Sequence, residues 1–266
     1  MRDGFNRTIN YLRISVTDRC NLRCRYCMPA EGLKLFSHDD ILSFEQIVEF
    51  TRVAVGLGIT KIKLTGGEPL VRHGITDLVA MLAEIDGIDD FGMTTNAVLL
   101  PKYAKQLADA GLGRVNVSLD TTNPGRFSML TRGGDVQKVF DGIAAGIDAG
   151  LTPIKLNCVA GSFTSQSDID SVKEFADKNR LRFRVIRLMD FENGKFSVVR
   201  GGTGGDCQQC SRLRLTSNGL VRPCLFSDIA FDVNELGNEK AIANAIEYKP
   251  QTGGPCSHKW MHCIGG

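Results

Sequence analysis

Cys20, Cys24 and Cys27 stand in the spacing C-x3-C-x2-C. Three thiolates within eight residues can converge on one metal centre, because a loop of that size folds around it. A structural zinc site asks for four ligands, usually in paired C-x2-C units. Ferredoxin-type loops use four cysteines. Three ligands on a four-iron cluster leave one iron open, and an open metal position is what chemistry needs. A second set, Cys207, Cys210 and Cys224, follows C-x2-C-x13-C. Between its members Arg212 to Leu215 alternates charged and apolar, and Asn218-Gly219 supplies a hairpin turn. Such a hairpin returns Cys224 toward Cys207 and Cys210. A zinc ribbon, with Cys256, His258 or Cys263 as fourth ligand, and an iron–sulfur centre both fit this second spacing.

Composition narrows the classes. The chain has 266 residues, enough for one large domain or two small ones with a sizeable core. Apolar residues are 42% and charged residues 23%, which excludes disorder as the main state. Net charge is +2, too small for non-specific nucleic-acid binding. No run of about 18 uncharged apolar residues exists, so no membrane-spanning helix is expected. Met1 to Asn10 is polar and lacks the apolar core of an export signal. Nine cysteines in such a chain argue for a reducing, cytoplasmic location and against a disulfide scaffold.

The cysteines need a scaffold, and the periodicity supplies one. Short apolar runs predict strands at Tyr11–Val16, Lys61–Leu64, Phe91–Thr94, Arg114–Leu119, Ile154–Val159 and Arg182–Leu188. Helical patterns fall between them at Phe44–Leu57, Thr76–Ile85, Pro101–Ala110, Val136–Ala149 and Asp168–Asn179. Ser43 and Gln46 form a candidate capping box, and Gly58 a stop. Pro101 suits a first helical turn. Repeated strand–helix alternation implies α/β architecture with a parallel sheet. Six units are too few for an eight-stranded barrel, so a partial (βα)6 TIM-like barrel is expected. Polar residues Thr65, Thr95, Asn96, Ser118, Asp120 and Asn157 sit at or near strand ends, the edge where parallel folds hold ligands. Phe191 to Asp206 is glycine-rich and reads as a linker or flexible loop. An amphipathic segment, Asn238–Tyr248, follows the second cysteine set.

Cys20-Asn-Leu-Arg-Cys24-Arg-Tyr-Cys27 resembles the signature of the radical S-adenosylmethionine (SAM) superfamily. The resemblance implies a [4Fe-4S] cluster on Cys20, Cys24 and Cys27. Its open iron would chelate SAM, and reduction would release a 5′-deoxyadenosyl radical. Tyr26 is the aromatic residue of that motif. Gly66-Gly67-Glu68-Pro69, directly after the second strand, resembles the superfamily's SAM-binding GGEP loop. By the same resemblance Thr95, Ser118 and Lys155 are SAM contacts. Read without it, Thr95 and Ser118 are equally well satisfied polar residues at strand ends. Cys158, inside an apolar strand, reads as a buried structural thiol.

The second motif, with its internal Arg-x-Arg, resembles that of the GTP 3′,8-cyclase family of molybdenum cofactor biosynthesis. Thr17-Asp-Arg-Cys-Asn21, Met28-Pro-Ala-Glu31, Asn116-Val-Ser-Leu-Asp120, Arg222-Pro-Cys-Leu-Phe226 and the terminal Gly265-Gly266 extend the likeness. It implies a second [4Fe-4S] cluster on Cys207, Cys210 and Cys224, whose open iron meets the guanine base. GTP contacts are then expected from Arg13, Lys61, Lys63, Arg184, Arg212 and Arg214. Arginine forks match phosphate oxygens, and charges inside parallel strands are costly unless they face a polar cavity. That cost favours function for Arg13, Lys63 and Arg184. Gly265 and Gly266 would insert toward the reacting centre. A reducing electron donor, a MoaC-type cyclic pyranopterin monophosphate synthase downstream and a homodimer are family-level expectations.

The resemblance divides the chain into a barrel (1–190), a shortened link (191–206) and a small C-terminal extension carrying the second cluster and GTP contacts (207–266). Between Asp190 and Cys207 the family carries a much longer segment than these sixteen residues. Lys63 stands for a common arginine, and Arg187 for a glutamate. Cys256 and Cys263 have no counterpart role. A peptide-modifying radical SAM enzyme is the alternative, disfavoured because such enzymes carry more C-terminal cysteines. A shortened inactive homologue is another.

Overall fold

A computed structural model of the chain describes residues 1–257. Six strands pair in parallel in chain order: β1 (Tyr11–Ser15), β2 (Lys61–Thr65), β3 (Asp90–Thr95), β4 (Arg114–Ser118), β5 (Lys155–Ala160) and β6 (Arg182–Arg187). Helices return the chain between them: α1 (Phe44–Gly56), α2 (Ile75–Ala83), α3 (Leu100–Asp109), α4 (Pro124–Thr131), α5 (Val136–Asp148) and α6 (Gln166–Lys178). Ser43 and Gln46 close the expected capping box on α1. Ser165 and Asp168 close a second one on α6, which therefore starts two residues before the periodicity suggests.

The hairpin forms as expected and then does more. β7 (Arg212–Leu215) pairs antiparallel with β8 (Leu220–Arg222), which pairs with β9 (Phe231–Asp232). β7 also lies parallel to β1. The sheet therefore has nine strands in the order β6-β5-β4-β3-β2-β1-β7-β8-β9, and it is open. This is a partial barrel that the second cysteine segment widens. α7 (Val233–Leu236) and α8 (Asn238–Glu247) follow, and α8 buries Ala241, Ile242, Ala245 and Ile246.

Alternation along the strands divides two environments. Leu12, Ile14, Ile62, Leu64, Met93, Val115, Val117 and Leu156 point into one core shared with the helices. The opposite positions carry Arg13, Lys63, Arg114, Asn116, Lys155, Asn157, Arg184 and Arg214. A parallel sheet covered on both faces is normally apolar on both. A polar inner face is the mark of a sheet curved around a wet cavity.

The link is tied down rather than loose. Val185 and Arg200 exchange two backbone hydrogen bonds of 3.0 Å, so the segment lines the outer edge of β6. Asp190 and Lys195 close a turn at its start. Among the described residues no helix is long and apolar enough to cross a membrane.

Candidate active site at the two cysteine triads

The first triad sits in the loop after β1, at the carboxyl edge of the sheet. Helix α4 holds this loop. The last carbonyls of a helix lack internal partners, and here they receive the loop: Arg23 N–H donates to Thr131 O (3.1 Å) and Arg25 N–H to Leu130 O (2.9 Å). Arg132, just past the helix, donates to Arg23 O (2.7 Å) and Met28 O (3.0 Å). Hydrophobic periodicity does not reveal α4, which has only eight residues. Asn123-Pro124, an N-cap followed by a first-turn proline, was the available signal.

Tyr26, between the second and third cysteines, donates to Asp120 Oδ2 at 2.6 Å. Asp120 Oδ1 accepts the Val159 amide at 2.8 Å. Burial pushes the Asp120 carboxyl up to about 6, against the lowering pull of Tyr26. The Tyr26 hydroxyl thus ties the loop to the ends of β4 and β5.

The glycine pair serves the same loop. A Cβ on Gly66 would lie 2.6 Å from Thr17 O, and one on Gly67 would overlap Arg19 O. The GGEP backbone packs directly on the segment leading to Cys20. Gly67 N–H donates to Thr17 O and Glu68 N–H to Arg19 O, both at 2.8 Å. Glu68 is fully buried, and both its oxygens are used within the protein. Oε1 accepts from Leu70 N (3.1 Å) and Thr95 Oγ1 (2.7 Å), and Oε2 from Asn96 N (2.7 Å). Burial raises this carboxyl to about 7. The side chains of Glu68 and Thr95 therefore brace the site. Asn96 completes the brace, with Nδ2 2.7 Å from Asn21 Oδ1 and 3.8 Å from Cys20 Sγ.

The three thiols suit an iron–sulfur cluster. All are half-buried. Cys20 Sγ accepts the Leu22 amide at 3.4 Å and lies 3.9 Å from Asn21 Oδ1; an amide donor of this kind is one that an iron-bound thiolate uses. Burial raises Cys20 to about 11, and it raises Cys24 further, with Cys27, Asp120 and Cys20 adding repulsion. Burial and the neighbouring sulfurs oppose ionisation of Cys24, a cost that a cationic metal core relieves. Among the described residues no three His, Cys, Asp or Glu are grouped as a single-ion site. A four-iron core binds each thiolate to a different iron and needs no such grouping.

The inner face holds a field of cations. The parallel register aligns Arg214, Arg13 and Lys63 across β7, β1 and β2. Lys63 is 1% exposed, and its ammonium is held well below the usual lysine range by burial, then by Arg114 and Arg13. Arg214 is lowered to about 9 by burial, Arg13 and Arg212. Arg184 is lowered by burial and Arg114. Lys155 falls to about 8 through burial, Arg114, Arg184 and Arg182. The structure thus places Lys155 among these cations rather than with the first triad. Arg114 bonds Asp90, a carboxylate amid these charges, in a fork of 2.8 and 2.6 Å. Sequence reading passes over both residues because charges at strand starts look like boundaries. Lys61 is exposed at the start of β2 and stands apart. Ser118 ends β4 beside Asn157, whose Oδ1 is buried with no hydrogen-bond partner among the described residues.

The second triad lies at the β7–β8 hairpin. Cys210 N–H donates to Cys207 O (3.4 Å), and the Phe226 amide to Cys224 Sγ (3.4 Å). Arg7, paired with buried Asp3 at 2.6 Å, donates to Cys207 O at 2.7 Å. Burial opposes ionisation of Cys210, but Lys249, the Arg212 amide, Arg212 and Arg214 outweigh it and lower the thiol. Amide and ammonium donors on the sulfurs fit this triad to a cluster as well. Cys256 packs with Cys224 against Phe191 and Phe226, its amide donating to Phe191 O at 3.0 Å. Cys158 is fully buried, as expected, and burial pushes its thiol up to about 12. Arg187 is exposed at the end of β6. Gly265, Gly266, Cys263 and His258 lie outside the described residues.

Comparison with known proteins agrees with this architecture. The Radical SAM superfamily model matches residues 14–176. A GTP 3′,8-cyclase of Alkaliphilus oremlandii is 39% identical, covering 94% of this chain and 93% of the relative. A GTP 3′,8-cyclase of Thermodesulfovibrio yellowstonii is 40% identical over 324 positions, covering 100% of both chains. An alignment of 324 positions that uses a 266-residue chain leaves about 58 positions of the relative without a counterpart. Among solved structures, Streptococcus suis SuiB bound to S-adenosylmethionine superposes with a TM-score of 0.69 at 16% identity. That match covers 92% of this chain and 65% of SuiB, and it speaks for the fold. The chain belongs to the radical SAM superfamily and, within it, to the GTP 3′,8-cyclase family.

Proposed function

We propose that the protein is a radical SAM lyase that converts GTP to (8S)-3′,8-cyclo-7,8-dihydroguanosine 5′-triphosphate for molybdenum cofactor biosynthesis. The observation that carries the reading is the inner face of the barrel. Arg13, Lys63, Arg114, Lys155, Arg184 and Arg214 share it, and Asp90 is the carboxylate that acts on Lys63 and Lys155 among the described residues. So many cations repel one another unless a polyanion sits among them, and a triphosphate is such a polyanion. The first cysteine triad lies at the carboxyl edge of the sheet, and the second at the hairpin whose β7 pairs with β1.

Cys20, Cys24 and Cys27 would hold the first [4Fe-4S] cluster, with Gly66 and Gly67 setting the loop against it. When bound there, the cluster would supply the electron for reductive cleavage of SAM. The protein positions, charges and encloses. Arg13, Lys63, Lys155, Arg184, Arg212 and Arg214 bind phosphate oxygens and hold the ribose toward the first triad. Ser118 lies at the carboxyl edge to meet SAM. Cys207, Cys210 and Cys224 would hold a second cluster facing the base. The link seals the β6 edge in place of the relatives' longer segment and keeps water from the cavity. A reducing donor in the cytoplasm and a MoaC-type synthase that consumes the product complete the assignment, and a homodimer is its expected assembly.

Equilibrium binding tests the phosphate reading directly. GTP should bind the anaerobic, iron-loaded protein more tightly than guanosine by at least tenfold, about 1.4 kcal/mol. Equal affinity for the two would remove the triphosphate from the cavity.

A further inference from the structure

Lys249 follows α8 and is only 3% exposed. A lysine ammonium has three donors, and three acceptors surround this one. It donates to Arg212 O at 2.7 Å, to Pro223 O, and to the thiol of Cys210. No carboxylate pairs with it among the described residues. Its counter-charges are the sulfurs of Cys210 and Cys224. The two carbonyls matter for where they sit. Arg212 is two residues after Cys210, and Pro223 immediately precedes Cys224. One ammonium therefore joins both arms of the hairpin at the points where their cysteines leave. A buried cation is costly without partners, and here the partners are two backbone carbonyls and the triad's sulfurs.

We propose that Lys249 is a positioning residue of the second triad: it fixes the Cys210 and Cys224 arms and sets its ammonium against the cluster they carry, easing its reduction. The inference rests on the second-cluster reading above. Charge and hydrogen bonds at cluster sulfurs are established levers on reduction potential. The charge comes from just past α8, a helix that supplies no cysteine.

The test isolates the second triad. A chain with Cys20, Cys24 and Cys27 all changed to Ala keeps only Cys207, Cys210 and Cys224 as triad ligands. Iron is counted and the potential is measured by anaerobic titration. In that background Lys249→Met and Lys249→Gln should make reduction at least tenfold less favourable, 59 mV for one electron. Lys249→Arg should restore most of the shift. Glutamine keeps donors for the carbonyls, so it reads the charge even if the methionine variant loses iron. Neutral variants that hold the same iron at the same potential as their parent would overturn the proposal. A triple-alanine parent that binds no iron would instead refute the second cluster itself.

Discussion

The Tyr26 hydroxyl lies 2.6 Å from Asp120 Oδ2, joining the middle of the cysteine loop to the ends of β4 and β5. Neither residue ligates metal, yet the bond fixes where Cys24 and Cys27 stand. Tyr26→Phe removes the donor and leaves a buried carboxylate short of a partner. The expected cost is about 1–3 kcal/mol of stability, together with faster loss of iron from the first triad. Chelator-challenge kinetics with a thermal melt check this. An unchanged melting temperature and iron-loss rate would show the bond to be incidental.

Gly67 makes a sharper prediction. Its missing Cβ leaves room for Arg19 O. Gly67→Ala must push the 17–20 segment away and displace Cys20. Iron bound to the first triad should fall by half or more while the second triad keeps its own. Iron counting with each triad knocked out separates the two. Full first-triad occupancy in the alanine variant contradicts the packing account.

Lys63 opposes stability to binding. It is buried beside Arg13 and Arg114, and burial and repulsion both disfavour its charge. Lys63→Met should raise stability, by about 1–4 kcal/mol on the scale of buried charges replaced by apolar groups. It should also weaken GTP binding at least tenfold, about 1.4 kcal/mol. A variant both less stable and equal in affinity would place Lys63 outside the phosphate set.

Lys155 sets a pH dependence. Its ammonium is lowered to about 8 by burial and by Arg114, Arg184 and Arg182. The charged form binds phosphate, so affinity is full below that value and declines as pH rises through it. Bound triphosphate favours the charged form and moves the midpoint upward. GTP titrations from pH 7 to 9.5 should show the decline. Lys155→Arg, charged throughout, should flatten it. A profile identical in wild type and Lys155→Arg would refute the assignment.

What the sequence shows and hides follows from the range of each interaction. The first triad, the GGEP turn, the six strands and the capping box on α1 are local patterns within a few residues, and the structure has them in place. The β1–β7 pairing joins residues about two hundred apart, and nothing local in Arg212 to Leu215 names its neighbour. Lys155 resembles a SAM contact by motif, but the β4–β5 register puts it opposite Asn116, among the inner-face cations. Helix α4 escapes because eight residues carry too little periodicity. Lys249 escapes because its meaning is the three acceptors it meets. The glycines of Phe191 to Asp206 suggested looseness, whereas the Arg200–Val185 bonds pin that segment to a sheet edge.

The central claim is that this shortened chain still couples SAM cleavage to GTP. Anaerobic protein reconstituted with iron and sulfide, then given SAM, GTP and dithionite, tests it in one mass-spectrometric assay. The account predicts 5′-deoxyadenosine and the cyclised nucleotide together, both lost in Cys24→Ser. 5′-Deoxyadenosine with GTP unchanged would contradict the claim and leave a radical SAM core acting on another substrate.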